Sequence, residues 1–231
     1  MKEPVILAFD TSAHGFTVAW YRGGETTETE FTPNLRNADA IFGEIDRLLK
    51  KAKAKINDAD VVAVGLGPGS FTGIRVGVSA AKTFAYAAGK KLMGFSSLEI
   101  QSLNWKGPAG TVSVVQDAGR GNVYTAAFVR SGTVRPPCLM GIEDFMGDAQ
   151  PSFYYMGNAL LQSGFAGRLE KLAGRSHVDP DPALARPRAE RMIPLALERW
   201  ATGGFDDPLT LAPDYLYDRE CNVTLKSKEG I

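Results

Sequence analysis

The sequence predicts an α/β protein, and three stretches carry that prediction. Val5 to Phe9 is a continuous apolar run that stops at Asp10, the pattern of a buried strand. GLGPGSFTGIRVG, Gly65 to Gly77, holds five glycines in thirteen residues and joins an apolar run at Asp60–Leu66 to a helical pattern. From Val112 the opening layout restarts. VSVVQDAGRGNVYTAAFVRSG has the order of VILAFDTSAHGFTVAWYRGG: a strand ending in Asp, a small-residue turn containing Gly, a second strand and a further turn. Asp10 precedes Val18 by eight residues, as Asp117 precedes Thr125. On layout alone, two ordinary hairpins explain the match as well as a duplicated α/β lobe does.

In chain order, Phe16–Tyr21 reads as a second strand turned by Gly23-Gly24, and Thr26–Phe31 as a polar edge strand. Ala38, Ile41, Phe42, Ile45, Leu48, Leu49 and Ala52 recur at helical spacing and predict an amphipathic helix over residues 36–54. The glycine loop leads into a helix at Thr72–Ala88, then a short strand at Leu92–Phe95 and a helix at Ser97–Leu103. Beyond Gly132 the chain reads as irregular and proline-rich. A helix is expected at Arg188–Ala201, with Pro194 as a kink risk, and APDYLYDRE reads as a segment returning to the first lobe. The lobes are placed at 1–105, with 211–231 docking back on it, and at 106–210.

Composition bounds the function. The 231 residues carry 26 basic and 26 acidic side chains, which argues against a broad basic face gripping nucleic acid unaided. Lys50, Lys51, Lys53 and Lys55 cluster at a helix end, where they suit the helix dipole; a solvated face is preferred to a nucleic-acid contact. Cys138 and Cys221 cannot build a disulfide framework, and no run reaches the ~20 apolar residues of a membrane span. A cytoplasmic protein without a membrane role is expected.

The glycine loop fits no standard catalytic pattern. A Walker loop would need glycine where Ser70 stands and a lysine after the last glycine. The dinucleotide fingerprint fails at Ser70 as well, and Thr72 occupies the closing glycine of a nucleophile elbow. The simplest reading is a turn at Gly67-Pro68-Gly69 with Ser70 or Thr72 capping the helix. Asp10, Ser12, Gly67, Gly69 and Ser70 remain the candidates for a nucleotide phosphate or Mg²⁺, since strand ends and helix starts attract such ligands. His14 and His177 lie far apart in sequence and neither belongs to H-x-x-x-H, so no histidine metal signature is present.

The helix after the loop carries a different message. Gly73, Gly77, Ala81 and Ala85 repeat every four residues and share a face flanked by Ile74 and Val78. Val76, Ala80, Thr83, Phe84 and Ala87 make a second face almost as apolar. A helix apolar nearly all round is buried on more than one side, and another chain is expected to meet one of them.

ILAFDTS, VVAVGLGPGSFTGIRVGVSAAKTFA, GFSSLEIQSL, VVQDAGRGNVYTAAF and APDYL together resemble the bacterial TsaB (YeaZ) family. The resemblance implies the actin-like ATPase (ASKHA) fold, two lobes with duplicated mixed-sheet cores. It also implies a non-catalytic role in making threonylcarbamoyladenosine on tRNA, next to the anticodon. A paralogue of the TsaD type, which carries the metal-binding H-x-x-x-H, does the chemistry; a small ATPase of the TsaE type is a further partner, and members also self-associate. No intrinsic cofactor is implied, although ATP or ADP at the boundary of the complex fits. Carried onto this chain, the interface falls on Ala38, Ile41, Phe42, Ile45, Leu49, Gly73, Ile74, Gly77, Val78, Ala81 and Ala85. The histidine the family often has near the start of its first helix is absent from RNADAIF. The alternative is a free-standing actin-fold ATPase or phosphotransferase working through Asp10 and the glycine loop; a peptidase ranks last.

Overall fold

A computed structural model of the chain describes residues 2–31 and 40–216. The chain divides into two units, one of 1–100 with 187–214, the other of 101–186 with Tyr215 and Leu216.

The first unit is a five-stranded mixed sheet. β1 (Ile6–Asp10), β2 (Phe16–Arg22) and β3 (Glu25–Phe31) form an antiparallel meander, and β4 (Val61–Gly65) and β5 (Lys91–Phe95) extend it in parallel, in the order β3-β2-β1-β4-β5. Alternation divides its side chains between two faces. Leu7, Phe9, Val18, Trp20, Val62, Val64 and Leu92 lie under α1 (Ala40–Lys51) and α2 (Phe71–Ala88). Ile6, Ala8, Ala19, Val61, Ala63, Met93 and Phe95 lie on the other face. α3 (Ser97–Ser102) follows β5.

The second unit repeats the plan. β6 (Val112–Gly119), β7 (Asn122–Val129) and β8 (Gly132–Gly141) form the meander; β9 (Tyr154–Met156) pairs parallel with β6, and β10 (Val178–Asp179) parallel with β9. The order β8-β7-β6-β9-β10 is that of the first sheet, strand for strand. α4 (Ile142–Gly147) and α5 (Phe165–Ala173) bring Phe145, Met146, Phe165 and Leu169 against Val115, Val123 and Tyr155. The restart at Val112 is therefore a duplication of the sheet, and the chain has the actin-like ATPase fold.

Two expectations need correction. The stretch after Gly132 forms an edge strand, β8, and Pro136 and Pro137 fall where its register against β7 shifts between Thr125 and Ala127, a bulge that tolerates residues without an N–H. The second lobe does not run to residue 210. Ala189, α6 (Met192–Thr202) and Phe205 pack on the second face of the first sheet through Met192, Ile193 and Ala196, which places Pro187–Asp214 in the first unit. Pro194 is the third residue of α6, where the N–H has no intrahelical acceptor, so the helix accepts it. Of the expected returning tail, Leu211 and Asp214 dock on the first unit: Lys82 Nζ donates to the Leu211 carbonyl at 2.9 Å and Asp214 N–H to that of Leu66 at 2.8 Å. Residues 217–231 lie outside the described residues, as do 36–39 at the expected start of the first helix. Among the described residues, no helix is long and apolar enough to cross a membrane.

Candidate functional site

The glycine loop sits at the carboxyl ends of β1, β4 and β5, where open α/β sheets commonly bind ligands. Here that position is filled by the chain itself. β1 ends at Asp10, and Asp10-Thr11-Ser12 is a buried turn driven into the glycine stretch. The Asp10 carboxylate accepts three hydrogen bonds: Oδ1 from the Ser12 N–H at 2.8 Å and Ser12 Oγ at 2.6 Å, Oδ2 from Ser97 Oγ at 2.7 Å. Ser97 Oγ in turn accepts from the Gly67 N–H at 3.0 Å. Burial pushes the Asp10 carboxyl above its ordinary range, and the hydrogen bonds from Ser12 and Ser97 oppose that rise.

Each glycine that faces this turn is required by it. A Cβ on Gly65 would stand 1.8 Å from Asp10 Oδ2, and one on Gly69 2.2 Å from the Ser12 carbonyl oxygen. On α2, a Cβ at Gly73 would meet the Thr11 carbonyl oxygen at 2.1 Å, and one at Gly77 would meet Thr11 Oγ1 at 2.2 Å. Thr11 Oγ1 donates to the Gly73 carbonyl at 2.7 Å, and the Ser70 N–H to the Ser12 carbonyl at 2.7 Å. Ser70 caps α2, its Oγ accepting from the Gly73 N–H at 3.3 Å. The notch at Gly73 and Gly77 is thus occupied by Thr11 of the same chain. Sequence reading missed Thr11 and Ser97; the four-residue glycine spacing signals a close approach but not by what.

This geometry places both sets of candidate residues. In the nucleotide set, Asp10 and Ser12 are buried and bonded to one another, Gly67 and Gly69 form the turn over them, and Ser70 is a helix cap. In the interface set, Ile41, Ile45, Leu49, Ile74, Gly77, Val78, Ala81 and Ala85 are buried, and the seven with side chains beyond glycine belong to the core over the first sheet. An apolar side chain in such a core contributes about 1.5–3 kcal/mol by burial, so the same stripe cannot also serve as a surface. Gly73 is half-buried beneath Thr11, and Ala38 lies outside the described residues. Phe42 alone of that set is exposed, at 45%, with its ring edge-on to Phe84 at 5.8 Å.

The opposite side of α2 is the unusual one. Its exposed residues are Phe71, Thr72, Arg75, Ser79, Thr83, Tyr86 and Ala87, with one charge among them. Phe71 is 54% and Tyr86 75% exposed, and the Arg75 guanidinium lies 3.8 Å over the Phe71 ring. The exposed residues of α1, by contrast, include Asp46, Arg47, Lys50 and Lys51. Aromatics and arginine on a face poor in charge are the composition of a protein interface core. Elsewhere, the His177 ring stacks on Tyr154 at 4.9 Å. Among the described residues, no three His, Cys, Asp or Glu side chains converge as metal ligands.

A duplicated actin-like sheet whose glycine loop closes on its own chain, beside a charge-poor helix face, defines a protein of the ATPase-fold class with its first-unit crevice filled. Comparison with known proteins agrees. Residues 36–171 match the family described as TsaD: tRNA N6-adenosine threonylcarbamoyltransferase. The chain is 34% identical over 125 residues to the tRNA threonylcarbamoyladenosine biosynthesis protein TsaB of Bacillus subtilis, covering 53% of this chain and 54% of that one, so it spans about half the length of that relative. It is 27% identical over 237 residues to TsaB of Escherichia coli, covering 97% and 99% of the two chains. The solved structure of YeaZ from Pseudomonas aeruginosa has the same fold, with a TM-score of 0.75 at 22% identity over 92% of this chain and 100% of that one. The chain belongs to the family of the model that matches residues 36–171, and it is similar to the TsaB (YeaZ) proteins.

Proposed function

We propose that this chain is a non-catalytic partner subunit in the biosynthesis of threonylcarbamoyladenosine on tRNA, next to the anticodon. It binds and activates a TsaD-type catalytic paralogue. The observation that carries this reading is the exposed face of α2, with Phe71 and Tyr86 presented on seven exposed residues bearing a single charge. Phe42 of α1 extends the patch. The names of the TsaB relatives supply the pathway. A second copy of the chain docks on the same face when the paralogue is absent, and a TsaE-type ATPase joins the assembled pair. Any nucleotide is held at the boundary with the partner, because the Asp10 carboxylate is buried and already accepts from Ser12 and Ser97.

The test is co-elution of the purified chain with its TsaD-type paralogue, and tRNA modification with and without it. Phe71→Glu and Tyr86→Glu each split the shared peak and abolish stimulation, while circular dichroism stays that of the wild type. Persistent separate peaks for the wild type, or normal co-elution of both variants, overturns the reading. The ATPase alternative returns if calorimetry on the chain alone shows Mg-ATP binding that Asp10→Ala removes.

A further inference from the structure

The other end of the same two helices is rich in lysine. α1 closes with the Lys53 N–H bonded to the Lys50 carbonyl at 3.1 Å and the Ala54 N–H to that of Leu49 at 2.8 Å. α2 closes identically, Gly89 N–H to Tyr86 at 3.4 Å and Lys90 N–H to Ala85 at 2.8 Å. This closure needs a left-handed residue, and α2 supplies glycine at φ 63°. α1 puts Lys53 there instead, at φ 50°. The 3-10 turn Ile56–Asp58 joins the two ends: Lys90 Nζ donates to the Asn57 carbonyl and the Lys91 N–H to that of Asp60.

The corner formed by residues 50–60 and 89–91 holds six lysines against Asp58 and Asp60. Asp58 pairs with Arg22 at 3.3 Å and accepts from the Lys55 N–H at 2.8 Å, and Asp60 accepts from the Val5 N–H at 2.8 Å; the Lys55 N–H, and after it the Arg22 and Lys55 charges, hold the Asp58 carboxyl below its ordinary range. Asp46 neutralises Lys50. Among the described residues, no carboxylate lies within 4 Å of the ammonium groups of Lys51, Lys53 or Lys55, all three exposed. The helix dipole accounts for lysines in the last turn, but it fades beyond it and does not account for Lys55, nor for a lysine where glycine is sterically preferred. A disfavoured backbone conformation retained by a charged residue points to a role for the charge.

We propose that this lysine corner docks the phosphodiester backbone of RNA, giving the chain a direct contact with the tRNA that the proposed function otherwise reaches through its partner. It rests on that reading for the identity of the RNA only. Lysines spaced around a corner, without aromatic side chains among them, fit a run of phosphates rather than bases. Such a contact is read by its salt dependence, each phosphate contributing about 0.7–0.9 to the slope of log K against log salt.

The experiment titrates an unmodified tRNA transcript with the full chain, alone and with its TsaD-type paralogue, across a salt series. The Lys51→Ala/Lys53→Ala/Lys55→Ala variant co-elutes with the paralogue as the wild type does, but its slope falls by about two, and its affinity near 0.1 M salt falls roughly ten- to a hundredfold. Lys53→Gly separates fold from function: it raises the melting temperature while weakening RNA binding. Unchanged slope and affinity in the triple variant overturn the proposal, as does tighter binding to phosphatidylglycerol vesicles than to RNA. Loss of co-elution by the wild type would count against the partner reading and leave the RNA result on the chain alone to decide this one.

Discussion

Gly77→Ala and Gly43→Ala are the same substitution in two helices, and the structure gives them opposite signs. In a helix interior, Gly→Ala stabilises by about 1 kcal/mol through backbone entropy. Gly43 lies exposed in α1, and a Cβ there meets nothing within 4 Å, so it gains that full amount. A Cβ at Gly77 falls 2.2 Å from Thr11 Oγ1, with Thr11 Cβ at 3.3 Å. Overpacking of this kind costs about 1–3 kcal/mol. Displacing the hydroxyl also breaks its 2.7 Å bond to the Gly73 carbonyl, worth about 1 kcal/mol. The net is a loss of about 1–3 kcal/mol after the helix gain. In Thr11→Ala/Gly77→Ala the nearest obstacle recedes to 3.3 Å, so the double variant is more stable than the sum of the two singles. Urea denaturation followed by circular dichroism measures all four proteins. If Gly77→Ala stabilises as Gly43→Ala does, Thr11 does not fill the notch and the reasoning fails.

Asp10 makes a pH prediction. Its folded-state value is raised above the ordinary 3.8, so the stability it contributes is present below that value and is lost as pH rises through the folded value. Asp10→Asn keeps an acceptor for the Ser12 N–H and gains relative to the wild type as pH climbs from 4 towards neutrality; a constant difference in melting temperature across that range contradicts it. Glu28, half-buried in β3, accepts from Arg188 Nε at 3.0 Å and the Glu190 N–H at 3.0 Å, tying the start of the returning segment to the edge strand. Glu28→Ala costs about 1–3 kcal/mol and exposes residues near Arg188 to limited proteolysis, which mass spectrometry of the fragments would locate. Ile74→Ala, in the core beneath α2, lowers stability by about 2–5 kcal/mol, whereas Tyr86→Ala leaves the melting temperature within about a degree of the wild type and weakens only co-elution.

Much of the first unit is legible from local pattern. The five apolar residues before Asp10, the helical spacing from Ile41 to Leu49 and the strand–glycine–helix order each report a neighbour close in sequence. The equal spacing of Asp10 to Val18 and Asp117 to Thr125 fits the duplicated sheet but fits two ordinary hairpins as well, and the matching strand order decides between them. What pattern cannot supply is the identity of a distant partner. The small-residue stripe of α2 correctly announces close packing, yet whether Thr11 or a foreign chain fills it depends on the path of β1. The core stripe and the exposed stripe of α2 are both low in charge, so hydropathy does not rank them; only exposure separates Ile74 and Val78 from Phe71 and Tyr86. Likewise α6 looks like part of whatever precedes it, because nothing local says that Met192, Ile193 and Ala196 complete a sheet begun at Ile6.

That last arrangement bears on how the protein is made. A ribosome releases the strands of the first sheet long before it reaches Met192, and at roughly 5–20 residues per second the wait is on the order of ten seconds. Throughout it Ile6, Ala8, Val61, Ala63, Met93 and Phe95 have no cover from α6. The nascent chain therefore carries a sticky, half-finished layer while its second sheet is synthesised, and a chaperone's best opportunity to hold it comes before α6 emerges.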